Sequence, residues 1–324
     1  KRLLTGTLEP GDYHTATVWD MRTGEHVARI DDGATAISPD GSTRTRSPML
    51  ERRIRVAWGP ERLITVNFNL GLGCLWDASS LAKISQFSTG GNMMELGPGS
   101  ESVPRVALAS AGARFVVAGF DGIARVFAVR DAKLVASIPF PGLDGVELSD
   151  DGAVALTRDA SSHAVVWSVA PMSKLAALNA DPADINEVHL SADGRVAAAA
   201  CSDRCVRLWD VKTGESLARL QEEKPPGEGV DSLGPPLDLS AAAGTKIAEG
   251  FLSLQIDPHG RWVAAINELG HVCVWEIPSG RQLVRWKLED ESRDARLSVS
   301  PDGNRLALTG QDGVATVFDL TPAR

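Results

Sequence analysis

Cysteine, positive charge and long apolar runs are all scarce in this chain, and each scarcity removes a class of protein. Four cysteines in 324 residues do not make the framework of a disulfide-stapled secreted domain and fit a reducing compartment. Lys and Arg number 33 against 42 Asp and Glu, a net charge of −9. That balance argues against broad electrostatic attraction to nucleic acid or an anionic membrane. No apolar run approaches the roughly 18–20 residues that cross a bilayer as a helix. Motifs that carry chemistry are missing too: no nucleophile elbow, Gly-Lys-Ser/Thr phosphate loop or zinc-protease signature occurs. "AAGTKIAEG" holds Gly244 and Lys246 in the wrong order for a phosphate cradle. "GLGCLW", with Gly71 and Gly73, leads into a strand, whereas a dinucleotide loop leads into a helix. The chain starts at Lys1 rather than Met, so a missing targeting signal carries no weight.

Aromatic side chains are also few, at 5% with a single tyrosine, yet most of them recur in one setting. The segments "YHTATVWDM", "GLGCLWDAS", "DGIARVFAV", "SHAVVWSVA", "RCVRLWDVK", "GHVCVWEIP" and "DGVATVFDL" end their alternating runs on Trp19, Trp76, Phe127, Trp167, Trp209, Trp275 and Phe318. Turn sequences precede them: "ASAG" to Gly112, "SDDG" to Gly152, "SADG" to Gly194, "DPHG" to Gly260 and "SPDG" to Gly303. Each of these glycines stands 15 residues before its aromatic, as does Glu61 of "WGPE" before Trp76. A spacing held in this way marks a repeated supersecondary unit.

Within a unit, a short β-rich run such as "RVALAS" or "EVHLSA" comes before the turn. A second, such as "RFVVAG" or "RLALTG", follows it. A tight turn leads to the aromatic-ended run, and another turn, "KTGES" or "PSGRQ", leads to a last strand, "LARL" or "LVRW". The unit is read as a four-stranded antiparallel meander, strands a to d. Apolar residues lie on both sides of these strands, as with Val206, Leu208 and Trp209, or Val272, Val274 and Trp275. A lone sheet cannot bury both faces; radial stacking of sheets does. The uninterrupted spacing of 40 to 43 residues between aromatics suits the blades of an all-β propeller.

The "SPDG" turn, the "RLWD" and "TVWD" strand ends and the "TG" of "KTGE" and "RTGE" make the chain resemble the WD-repeat (Trp-Asp repeat) family. The resemblance extends over nearly the whole chain and implies a single seven-bladed β-propeller over residues 1–324. It is divergent. The family's Gly-His before strand a is absent, and its b–c turn Asp, six residues before the aromatic, occurs only at Asp121, Asp203 and Asp312. Tyr13, Leu70, Ser161 and Leu269 stand there in the other blades. The three Asp residues are expected to be structural, accepting backbone N–H bonds in their turns. "AISPDG", residues 36–41, mimics a strand-a turn, but Val56 rather than an aromatic follows Gly41 by 15 residues. A decayed eighth blade over 31–58 is the alternative to a loop that imitates one.

"CSDRC" puts Cys201 and Cys205 around a b–c turn. With no second pair and no nearby His, a tetrahedral metal set is not assembled, and both are expected to be small core-filling thiols. His14, His26, His163, His189, His259 and His271 are scattered singly and are read as strand or turn residues. No catalytic, metal-binding or cofactor-binding residue is therefore assigned.

Three insertions, 31–52, 88–102 and 221–249, each fall between a strand d and the next strand a. In a meander the d–a and b–c loops share one end of the sheet, so the insertions are expected on one face, where partner binding belongs. The first concentrates Arg44, Arg46, Arg52, Arg53 and Arg55, whose guanidinium forks suit carboxylates or phosphates on a partner. The second pairs Met93 and Met94 in a Gly-rich frame, and the third is rich in Pro, Gly and acid.

The expected function is a non-catalytic, intracellular, cytoplasmic protein–protein interaction scaffold, with no direct nucleic-acid partner and no membrane insertion. The alternatives are the sensor or autoinhibitory domain of a larger signalling protein and, further off, a propeller hydrolase. The first blade lacks strand a and the last lacks strand d by this bookkeeping. An upstream extension of at least about 15–25 residues, or a strand from another chain, is expected to fill the gap.

Overall fold

The structure is a computed structural model of the chain, and it describes residues 2–6, 15–20, 23, 25–31, 54–58, 61–67, 71–90, 105–109, 113–180, 183–223, 251–267, 269–288, 296–300, 302–309 and 315–320. The described residues are all-β and form seven antiparallel sheets, each joining consecutive strands. The first sheet is β1 (Arg2–Gly6), β2 (Thr15–Asp20) and β3 (His26–Asp31). The second is β4 (Ile54–Trp58), β5 (Arg62–Asn67), β6 (Leu72–Asp77) and β7 (Lys83–Ser88). The third is β8 (Arg105–Leu108), β9 (Arg114–Ala118), β10 (Ile123–Ala128) and β11 (Leu134–Pro139). The fourth is β12 (Leu143–Leu148), β13 (Val154–Asp159), β14 (Ala164–Val169) and β15 (Met172–Leu178). The fifth is β16 (Ile185–Leu190), β17 (Val196–Cys201), β18 (Cys205–Asp210) and β19 (Ser216–Gln221). The sixth is β20 (Phe251–Ile256), β21 (Trp262–Asn267), β22 (His271–Glu276) and β23 (Gln282–Lys287). The seventh is β24 (Arg296–Val299), β25 (Arg305–Thr309) and β26 (Ala315–Asp319).

Among the described residues the first sheet thus has strands b, c and d, and the last has a, b and c. Val56 sits in β4, a strand a, and no eighth sheet appears among the described residues. The chain divides into two compact units, residues 1–146 and 147–324.

Alternation along the central strands decides the packing within each unit. In the second unit, Ala197, Ala199 and Cys201 of β17 and Trp209 of β18 pack with Leu156, Val166 and Leu178 of the fourth sheet. The intervening Ala198 and Ala200, with Val206 and Leu208, pack against Phe251, Leu254, Val263 and Trp275 of the sixth. Sheet six repeats the scheme: Ala264, Ile266, Val272 and Val274 face Leu297, Leu306 and Leu308 of sheet seven. The alanines of "RVAAAA" leave little bulk between sheets, so their neighbours supply the volume. In the first unit, Phe87, Phe115 and Phe127 form a trio with ring centroids 4.8–5.1 Å apart between sheets two and three. Gly73 is required there, because a Cβ would meet the Phe87 ring at 2.2 Å.

The turns are closed by short polar side chains. In the a–b turn, Ser149 Oγ accepts the Val154 N–H at 3.0 Å and donates to Asp151, whose carboxylate accepts the Ala153 N–H. Ser191 with Asp193, and Ser300 with Asp302, repeat the arrangement. The glycine after each Asp has positive φ, 67° at Gly152 and Gly303 and 70° at Gly194, the left-handed region that glycine enters without a Cβ clash. The Asp that follows Trp closes the other hairpin. Asp77 and Asp210 accept N–H groups of the c–d turn, from Ser79 and Ser80 and from Thr213.

Candidate functional site

The b–c turns and the first residues after strand d meet at one end of each sheet. At sheet three, Asp121 accepts the Ile123 N–H at 3.3 Å and pairs with both terminal nitrogens of Arg125, at 3.0 and 2.5 Å. Arg125 also donates to the Thr89 carbonyl at 2.8 Å. Thr89 lies just past β7 of sheet two, so this guanidinium holds the stem of the second insertion on the next sheet. Gly119 permits the approach, since a Cβ would meet the Thr89 oxygen at 2.4 Å.

At sheet five, Asp203 forms a fork with Arg207, at 2.8 and 2.6 Å, and takes a further bond from Arg219 at 3.1 Å. The Arg207 hydrogen bonds, outweighing burial, hold the Asp203 carboxyl down at about 2. Where backbone donors were expected at Asp203, its hydrogen bonds come from guanidiniums. The signal was in the sequence, as Arg at the residue but one before the aromatic in "DGIARVF" and "DRCVRLW".

Sheets four and six lack this Asp, having Ser161 and Leu269, but the turn acceptor has moved two residues earlier. Asp159 accepts the Ser161 and His163 N–H groups at 2.9 and 2.8 Å. Asn267 accepts those of Leu269 and His271 at 3.0 and 2.9 Å. "DASSH" and "NELGH" carry the shared spacing.

The third insertion leaves from a fixed stem. Gln221 ends β19, and its carbonyl accepts the Trp275 indole N–H at 3.2 Å. Glu222 takes bonds from Asn267 at 2.7 Å and from Arg285 at 2.6 Å, and its carboxylate lies 2.8 Å from His271 Nδ1. Glu223 and Gln282 exchange two bonds. Residues 221–223 are therefore strand end and anchor on the following sheet, as Ser88 and Asp31 are strand ends at the other two insertions. The rest of the insertions, with Arg44, Arg46, Arg52, Arg53, Met93 and Met94, lies outside the described residues, as does Asp312. Arg55 is in β4, paired in register with Val66.

Strand a of the fourth, fifth and sixth sheets carries a feature that single-residue reading missed. Glu147 on β12 accepts the Leu190 N–H of β16 at 2.8 Å, and Glu187 on β16 accepts the Leu254 N–H of β20 at 2.6 Å. Ser253 on β20 accepts the Leu297 N–H of β24 at 3.3 Å. Each acceptor thus clasps the first strand of the next sheet. His189 lies between two of them, 2.8 Å from Glu147 and 3.6 Å from Glu187, with Gln255 at 3.4 Å. Burial pushes the imidazolium down, and the carboxylates, Glu147 foremost, overturn this and raise it to about 10. These ionisable groups converge, but each carboxylate already holds a backbone N–H and the imidazolium.

Cys201 and Cys205 are free and fully buried. Burial pushes the Cys201 thiol up to about 11, away from the reactive thiolate. Among the described residues no group of three or more His, Cys, Asp or Glu is placed to hold a metal ion, and no helix is long and apolar enough to cross a membrane.

Residues 155–210 match the family described as WD domain, G-beta repeat. The match runs from strand b of sheet four to strand c of sheet five. WD repeat-containing protein SL1-17 of Schistosoma mansoni is 26% identical over 184 residues, 56% of this chain and 52% of that protein. The chain thus spans about half the length of that relative. Among solved structures the fold is similar to that of KlHsv2 with loop 6CD replaced by a Gly-Ser linker. The TM-score is 0.64 at 12% identity, covering 98% of this chain and 88% of that one.

Asp203→Ala leaves the buried Arg207 without its fork and is expected to cost about 1–3 kcal/mol in urea unfolding. A carboxyl lowered in the folded state stabilises fully above its unfolded value, near 3.9, and ceases to as pH falls through about 2. The wild type should therefore lose its advantage over the variant between those values; an unfolding midpoint equal to the wild type's at pH 7 would refute the role. His189 is raised, so its contribution is complete below about 6.5 and fades as pH climbs through about 10. Thermal melts from pH 7 to 10 should fall more steeply for the wild type than for His189→Gln, and parallel curves would contradict the clasp.

Proposed function

We propose that this divergent WD-repeat β-propeller is a non-catalytic protein–protein interaction scaffold, a subunit or domain of a multi-protein assembly. WD repeats generally serve as protein-interaction scaffolds. The finer proposal is that partners dock where the d–a insertions leave the sheets.

One observation carries it. The stems of the second and third insertions are fastened to the following sheet by buried or half-buried bonds: Thr89 to Arg125, Gln221 to Trp275, and Glu222 to Asn267 and Arg285. A loop whose base is held by a rigid sheet presents its residues at lower entropic cost than one on a loose base. The arginines of the first insertion, Arg44, Arg46, Arg52, Arg53 and Arg55, supply forks for acidic or phosphorylated partner surfaces. Met93 and Met94 supply adaptable apolar contact.

Shortening 91–102 and 224–249 to brief Gly-Ser links, together with Ala at the five arginines, should leave the melting temperature within a few degrees. The same changes should strip the proteins captured by the full chain in affinity purification with mass spectrometry. Capture of the same set by the altered chain would overturn the proposal.

A further inference from the structure

Strand c runs through the buried middle of its sheet, with one departure. The residue before the aromatic is Leu75, Val126, Val166, Leu208 and Val274 in sheets two to six, and each is 0–1% exposed. Its counterpart in sheet seven, Val317, is 59% exposed. On the opposite face of β26, Phe318 is covered, stacked on Trp286 with centroids 4.5 Å apart. Among the described residues β26 pairs with β25 alone, so its other edge is open. An open edge presents a row of backbone donors and acceptors that accept a further strand.

The other six sheets state what such a strand must carry. Opposite the residue before the aromatic stands a small side chain: Ala28, Ser85, Ala136, Ala176 or Ala218, with Val284 the largest. Two residues on, on the same face, stands a large apolar one: Ile30, Phe87, Ile138, Leu178, Leu220 or Trp286. The pairing is antiparallel each time, with a register shift next to the aromatic. Strand d is thus a small–x–large segment read by strand c. Ala315 and Val317 of β26 offer the same pair of positions.

We propose that the open edge of β26 is a docking site for an extended segment of a partner protein, which adds in trans as a fourth antiparallel strand. It places a small side chain opposite Val317 and a large apolar one two residues later, opposite Ala315. Main-chain hydrogen bonds supply the affinity and the small–x–large order supplies the selectivity. The surface is separate from the insertion-bearing ends of the sheets, so this docking does not depend on them.

The test is fluorescence anisotropy of a labelled peptide with the sequence of residues 215–221, ESLARLQ, titrated with the full chain. Saturable binding is expected, weakened at least about tenfold, or about 1.4 kcal/mol, by Val317→Asp and by Val317→Lys. Both variants alter an exposed side chain and should melt as the wild type does. A peptide with the Ala and the second Leu exchanged, ESLLRAQ, should bind as weakly as the variants do. Absence of saturable binding, equal binding of the exchanged peptide, or indifference to both Val317 variants would overturn the proposal. So would sedimentation showing a dimer that the peptide dissociates, which would give the edge to a second copy of this chain.

Discussion

The structure rests on the need to cover both faces of every sheet at once. In β17 alternate residues are buried toward the fourth sheet and toward the sixth, and in β21 toward the fifth and the seventh. A buried Val, Leu or Ile side chain contributes on the order of 1.5–3 kcal/mol relative to exposure. Removing a neighbouring sheet would therefore expose an entire row of such side chains. No sheet of this composition is stable by itself. The chain has to supply neighbours at a constant interval, and the regular spacing of turn glycine and aromatic follows from that.

Polar side chains set the details that burial leaves free. The Ser–x–Asp–Gly turns close the a–b hairpins, and the clasps from Glu147, Glu187 and Ser253 fix successive first strands against one another. The b–c turns then fasten the segment that enters from the preceding sheet. Trp76 and Trp167 show the link between core and turn, since each indole N–H donates to a threonine of strand b, Thr65 and Thr157, while its ring is buried or half-buried in the stack. Rigidity at the stems is what makes the loops useful for binding; the chemistry of recognition would lie in the loops.

The sheets were legible in the sequence because their signals are local. A turn glycine, an alternating run and an aromatic 15 residues on are all contained in one unit, and the strand-to-sheet assignment follows from them. The partners of Asp121 and Asp203 were half legible: the turns were evident, but pairing with Arg125 and Arg207 depends on both side chains lying on one face of the hairpin. The shift of the acceptor to Asp159 and Asn267 was hidden by looking for Asp at one fixed offset. The Glu147–His189–Glu187 clasp was not legible, because it joins residues of separate sheets whose relative register no local pattern encodes. The same holds for Val317, whose exposure stands out only beside five buried counterparts.

Hydrogen exchange followed by mass spectrometry on the full chain tests the two-face account most directly. Strands b and c of sheets four to six are covered on both faces, whereas β15, β19 and β23 each leave an apolar side chain at Leu175, Leu217 or Leu283 about 40% exposed. The account predicts that β13, β14, β17, β18, β21 and β22 exchange last and together, as one cooperative unit, with the outer strands ahead of them. Outer strands as protected as the central ones, or central strands of one sheet opening independently of their neighbours, would contradict it.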